Sequence, residues 1–177
     1  MGRSLEGPVR TGVRLSNWSS ADAKTHEDWI ADLRETTNRI TSGLDYSKEI
    51  LSTAKLGLGE TFVLTLDRRA IGMSIVWFQD PREGAAGEQA SVQVLVMHPS
   101  HSTDEGFRGL LDATETEALA RNKRRLTVPL NASHPWALGR LIHWNYRVEQ
   151  IRLRMVLEGT DAGPTTDRHV NCSQWLG

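Results

Sequence analysis

Cysteine is almost absent: Cys172 is the only one in 177 residues. No intrachain disulfide can form, and a reducing, cytoplasmic compartment is the expectation. No apolar run approaches the ~18 residues of a membrane span. The first ten residues have no apolar centre, so no secretory signal is expected there. Net charge is nearly absent as well, at −1. Such a weak overall field gives no reason to expect nucleic acid as a partner. Internal repeats and low-complexity tracts are missing. So is a metal-ligand pattern: His98 and His101 sit close together on one loop, but no paired Cys or His motif accompanies them. No metal is expected.

What remains is ordinary globular material. Apolar residues make up 38% and charged residues 24% of the chain, and the length suits a single domain over 1–177 with a full core. Residues 9–15 read as a first strand. Thr25-His-Glu-Asp28 resembles a helix start, and Trp29, Ile30, Leu33, Thr37 and Ile40 then share a helical face. A second helix is expected over 46–55, with Ile50, Leu51 and Ala54 inward and Gly57 and Gly59 ending it. Residues 60–66 and 70–78 read as a hairpin joined at Asp67-Arg68-Arg69, followed by a loop over 79–89. Late in the chain, 150–157 alternates like a half-buried strand, and 169–175 is a weaker last strand.

The most organised stretch lies between these parts. An apolar strand, 91–97, stops at His98-Pro99. A polar loop follows, and an amphipathic segment runs from Phe107 to about Asn122. A second strand-like piece, 125–130, ends in Asn131, and a short helix covers 136–144. Strand, loop, helix, strand, helix is a βαβα unit, which predicts a parallel strand pair. Ligands of open α/β sheets bind at the carboxyl ends of such strands.

Pro99 with Leu110-Leu111, then Asn131, Ala137, Leu141 and Asn145-Tyr146, carry a resemblance. Over about 91–146 the chain resembles the acyl-CoA-binding core of the GNAT superfamily of N-acetyltransferases. The resemblance implies an α/β (α+β) fold. Its central sheet would be mixed, mostly antiparallel and twisted, with helices on both faces. A parallel strand pair would open into a V-shaped cleft. It also implies acetyl-CoA or another acyl-CoA as co-substrate and a small-molecule or peptide amine as acceptor, with attack direct and no acyl-enzyme. The two helices after the first strand would border the acceptor pocket, and a homodimer stays open. The alternative is a catalytically inactive domain of the same fold that binds a ligand or partner.

The resemblance implies cofactor contacts at the backbone of Leu95, Val96 and Met97, at the loop residues Thr103, Asp104, Glu105, Gly106 and Phe107, and at Asn131. The loop departs from the family's Arg and Gly pattern. Glycines let backbone N–H groups approach phosphate oxygens, and here Ser102, Thr103, Asp104, Glu105 and Phe107 take those places. Gly106 remains, one place away. Ser102-Thr-Asp-Glu105 reads as a capping box, which would satisfy the helix's own donors, and two carboxylates there repel a pyrophosphate.

The family's Tyr, often the acid, corresponds to Leu141, which has no proton to give. A Glu base has no counterpart among Val92, Gln93 and Val94. His134 is the candidate base or pantetheine contact, since its free pKa lies near neutrality; it reads more simply as a loop residue capping the next helix. Asn131 reads either as a partner for pantetheine amides or as a turn former. Trp136 and Trp144, at helical spacing, read as core.

Charge is segregated along the chain. Residues 79–120 hold eight acids against two Arg, a net of −6, and residues 121–154 hold eight Lys or Arg against one acid, a net of +7. Lys123-Arg124-Arg125 reads as a helix end complementing its own dipole, or as a patch for a nucleotide or acidic partner.

Overall fold

The structure is a computed structural model and describes residues 12–79, 87–131, 134–151 and 171–173. Among these residues six strands form one sheet: β1 (Val13–Asn17), β2 (Gly59–Leu66), β3 (Arg69–Trp77), β4 (Gln89–Met97), β5 (Arg125–Thr127) and β6 (Asn171–Ser173). The path runs β1-β2-β3-β4-β5, and β6 joins β4. β1 to β4 pair antiparallel; β4 and β5 are parallel. The described residues also form four α-helices: α1 (Ala23–Ile40), α2 (Ser47–Lys55), α3 (Asp104–Ala120) and α4 (Pro135–His143). This is the mixed, mostly antiparallel sheet expected from the sequence. The alternating segment 150–157 lies almost wholly outside the described residues.

Two cores flank the sheet. On one face Leu64, Val76, Val92, Leu95 and Met97 meet Phe107, Leu110 and Leu111 of α3 and Leu141 of α4. On the other, Val63, Met73, Ile75, Val94 and Val96 meet Trp29 and Leu33 of α1 and Ile50 of α2. β4 therefore reads as a continuous apolar run because it is covered on both sides.

Its side-chain alternation breaks once. The β3 register passes from Val76↔Val92 to Ile75↔Val94, leaving Gln93 as an extra residue, a β-bulge. Val92 and Val94 therefore face opposite cores although two residues apart.

Helix termini differ from the sequence expectation in instructive ways. α1 begins earlier than Thr25: Asp22 is its cap and accepts from Thr25 N at 2.8 Å. Trp18 is buried and stacks on His26 with ring centroids 3.8 Å apart. In α2 the inward residues are Ile50 and Thr53, not Leu51 and Ala54. Thr53 is held inside because its hydroxyl accepts from the Trp77 indole N–H at 2.9 Å.

Three helices end in the same six-residue closure. The residue after the cap is left-handed, and two N–H groups turn back onto the last helical carbonyls. Gly57 supplies it after α2, Asn122 after α3 (φ 59°) and Asn145 after α4 (φ 66°). Asn145-Tyr146 thus does with asparagine what glycine does most easily. The β2–β3 turn is tight, with Asp67 and Arg68 both left-handed.

Candidate active-site cleft

The cleft expected from the sequence would start where β4 and β5 part. They pair only over Gln89↔Arg125, Ala90↔Leu126 and Ser91↔Thr127. β5 is shorter than the 125–130 expected from the sequence. Pro129 cannot donate to a ladder, so it sits poorly in a strand flanked on that edge. Two residues after Ser91 comes the bulge at Gln93, whose amide donates to Ser91 O at 3.3 Å.

Beyond the bulge the same edge of β4 carries β6, antiparallel: Val94↔Ser173, Leu95↔Cys172 and Val96↔Asn171. The backbone of Leu95 and Val96, assigned from the sequence to cofactor contacts, is thus in a protein ladder. Cys172 is fully buried among the core residues next to α3 and α4, and burial pushes its thiol up to about 12.

β4 delivers the chain to the α3 N-terminus through a 3-10 turn, Pro99–His101. The helix cap is Thr103, one residue later than the sequence suggested; its hydroxyl accepts from Gly106 N at 3.1 Å. Ser102 instead donates to His98 O at 3.2 Å. Asp104 is clasped by Arg140 of α4: Nε and one terminal nitrogen each reach a carboxylate oxygen at 2.8 Å. The carboxylate expected to repel phosphate is therefore matched by a guanidinium at the same helix end. Glu105 is exposed.

Gly106 and Phe107 are packing residues. A Cβ on Gly106 would lie 2.6 Å from the Met97 methyl and 3.1 Å from Leu64, so glycine here lets α3 lie close on the sheet. Phe107 is wholly buried, with ring centroids 5.7 Å from Trp136 and 5.3 Å from Trp144. Its placement against those two tryptophans matches their reading as core.

On the α4 side, Asn131 is exposed, and its carbonyl accepts from His134 N at 3.0 Å, closing a turn. His134 occupies the α4 cap position and is buried, but its side chain makes no cap bond. Leu141 is buried in the core.

Tyr146 completes the closure of α4, its N–H donating to Leu141 O at 2.9 Å. Its phenol donates to Glu115 of α3. Burial, then the Glu115 carboxylate, drives that phenol well above its usual range. Arg108 joins the group, 2.6 Å from Asp112 and 3.2 Å from Glu115, with its guanidinium over the Trp144 ring at 5.4 Å.

The segregated charges meet in space where Arg140 reaches Asp104 and Arg124 reaches Glu88, while Arg125 reaches Glu149, the one acid of its own segment. Lys123 is buried and donates to Gly87 O. The basic run thus engages loops and neighbours, while Asn122 closes α3.

On the α1 side a recess of about 260 Å³ is lined by Asp32, Glu35, Arg69, His98 and His101. Arg69 bridges Asp32 and Glu35, each at 2.8 Å. The His98 and His101 rings are 5.2 Å apart, and burial, then His101, lowers the His98 pKa.

Among the described residues no group of three or more His, Cys, Asp or Glu could hold a metal ion, and no helix is long and apolar enough to cross a membrane. Sequence reasoning missed Arg140 and the seat of β6.

No family model and no curated protein matches the chain. Solved structures do. An aminoglycoside acetyltransferase from an uncultured soil metagenomic sample, in complex with trehalose, superposes with a TM-score of 0.63 at 10% identity, over 84% of this chain and 99% of that one. The aminoglycoside N-acetyltransferase AAC(6')-Iy, in complex with CoA, gives 0.60 at 15% identity, over 88% and 100%. A ribosomal-protein-alanine N-acetyltransferase from Brucella melitensis biovar Abortus 2308 gives 0.57 at 13% identity, over 82% and 99%. At these identities the likeness is one of fold.

Proposed function

We propose, from the GNAT fold that these likenesses show, that the chain is an acyltransferase moving an acetyl or other acyl group from acyl-CoA to an amine. The observation that carries this reading is the parallel pair of β4 and β5, which parts at Ser91 and Thr127 beside the Gln93 bulge. Beyond the bulge that edge of β4, where β6 pairs in the free protein, leads towards the α3 N-terminus, and it is the place proposed for an extended arm ending in phosphates. The N–H groups along that edge would polarise the thioester carbonyl.

The reaction needs little else. The amine nitrogen attacks the carbonyl carbon, the C–N bond forms, the C–S bond breaks, and the thiolate leaves. Leu141 has no proton to return, and the Tyr146 phenol is tied to Glu115. Water therefore protonates the thiolate. His134, buried at the head of α4, is the side chain proposed to take the amine proton. Phosphates would meet Thr103, Asp104 and Arg140 rather than a glycine cradle, and Asn131 is offered to the pantetheine amides. Release of free thiol on mixing the protein with acetyl-CoA and a panel of amines tests the activity; no release from any amine counts against it.

A second reading is favoured by one observation: β6 already fills the β4 edge. A domain of this fold without catalysis would tolerate that permanently. Titration with millimolar acetyl-CoA separates the two, because the inactive domain gives neither heat nor a thermal shift.

A further inference from the structure

We infer that β6 is an intramolecular competitor of the acyl-CoA arm: it holds the β4 edge in the free protein and gives it up when acyl-CoA binds. The inference rests on the acyltransferase reading and adds to it a mode of control.

Location is the first ground. β6 lies against Val94, Leu95 and Val96, the stretch of β4 beyond the bulge that β5 has left. A pantetheine arm carries two amides, and a peptide strand offers the same donors and acceptors to the same edge. Both cannot occupy it together.

The second ground is how lightly β6 is held. Its described residues are three, Asn171, Cys172 and Ser173, with no large apolar residue among them. Cys172 reaches the core, and a thiol side chain buries little area. The ladder ties β6 to β4 through backbone groups over three residue pairs. The long antiparallel ladder of β3 with β4, on the opposite edge, does not depend on it. The sheet can lose β6 without losing its centre.

The third ground is chemical. The Asp104–Arg140 pair and the capped α3 N-terminus are built from α3 and α4 alone, without β6. A ligand can therefore engage its phosphate end first and displace β6 from there. The free protein then binds acyl-CoA more weakly than its edge allows, by the fraction of molecules with β6 unseated.

Cys172 is the chain's one cysteine, so it reports its own position. In the intact protein, iodoacetamide modification followed by mass spectrometry should be slow without ligand. It should accelerate by about tenfold or more with saturating acetyl-CoA, because the seated thiol is both buried and hard to ionise. In parallel, Cys172→Pro, which fixes φ and removes a backbone N–H at the middle of β6, should bind acetyl-CoA about tenfold more tightly by calorimetry. Cys172→Ala should leave affinity within about twofold of the natural chain.

If acetyl-CoA binds yet Cys172 stays protected and the proline variant binds no better, the competition is overturned while the acyltransferase reading stands. If neither the natural chain nor any variant binds, the acyl-CoA reading itself falls, and the competition with it. If the proline variant alone binds, the competition is upheld in its strongest form. Should that variant fail to fold by circular dichroism, the alkylation rates decide.

Discussion

Replacing Asp104 by Asn should destabilise the protein and yet tighten its hold on coenzyme A. Asp104 is the first residue of α3, and Arg140 grips it through two contacts of 2.8 Å, with both side chains about two-fifths exposed. A carboxylate at a helix N-terminus is worth about 0.3–1 kcal/mol. A partly exposed ion pair adds about 0.2–1 kcal/mol, screened by solvent. The folded state should therefore lose about 1 kcal/mol, which for a chain of this length lowers Tm by about 2–4 °C.

The ligand sees the opposite sign. A phosphate at the α3 N-terminus, about 6 Å from the carboxylate, is repelled by about 1–2 kcal/mol between the water and near-surface limits. Removing that charge also frees the Arg140 guanidinium to meet the phosphate. Coenzyme A should then bind about five- to thirtyfold tighter. Calorimetry at about 0.15 M salt, beside a thermal melt, gives both numbers. A folded Asp104→Asn protein that binds coenzyme A equally or less well would refute the placement of phosphates at this helix end.

Other outcomes follow from single contacts. Phe107→Ala should cost about 3–5 kcal/mol in urea unfolding, because the ring is wholly buried between Trp136 and Trp144. Asn122→Gly should gain about 0.5 kcal/mol, since glycine adopts φ near +59° without the cost asparagine meets; the midpoint of denaturation reports it.

Tyr146 makes a prediction about alkali. Its folded phenol titrates above the ordinary 10.0, driven first by burial and then by Glu115. Above about pH 10 the unfolded chain ionises and the folded chain does not, so stability is full below that pH and declines as pH climbs. Tyr146→Phe should flatten that decline in melts taken from about pH 9 to 11. His134→Ala should lower kcat/KM for amine acetylation by about a hundredfold and alter the pH profile; an unchanged profile would assign the base to water.

Much of this architecture was legible because its determinants are local. Ser91 to Met97 is apolar almost throughout, as a doubly covered strand must be, and Leu110-Leu111 marks the buried stripe of α3. Asp67-Arg68 placed the β2–β3 turn to within a residue. Helix starts were less legible: the apolar pattern of α3 begins at Phe107, but Thr103 caps the helix ahead of a polar first turn. Leu51 misled because its spacing fits the inward face of α2, yet Thr53, bonded to Trp77, took the buried place. The site was harder still. Arg140 lies 36 residues from Asp104, and nothing in a short helix announces such a partner. The seat of β6 had no signal at all, since Asn-Cys-Ser carries no pattern that chooses an edge.

The surplus residue at Gln93 lets one strand serve two masters in turn. Ahead of it, even-numbered side chains line the α3 side; after it, Val94 and Val96 line the α1 side. Anyone resizing the two cores can therefore work on them separately along a single strand. Deleting Gln93 would iron out the bulge and leave Val92 and Val94 as neighbours, still on opposite faces, so the later side chains of β4 would keep their sides.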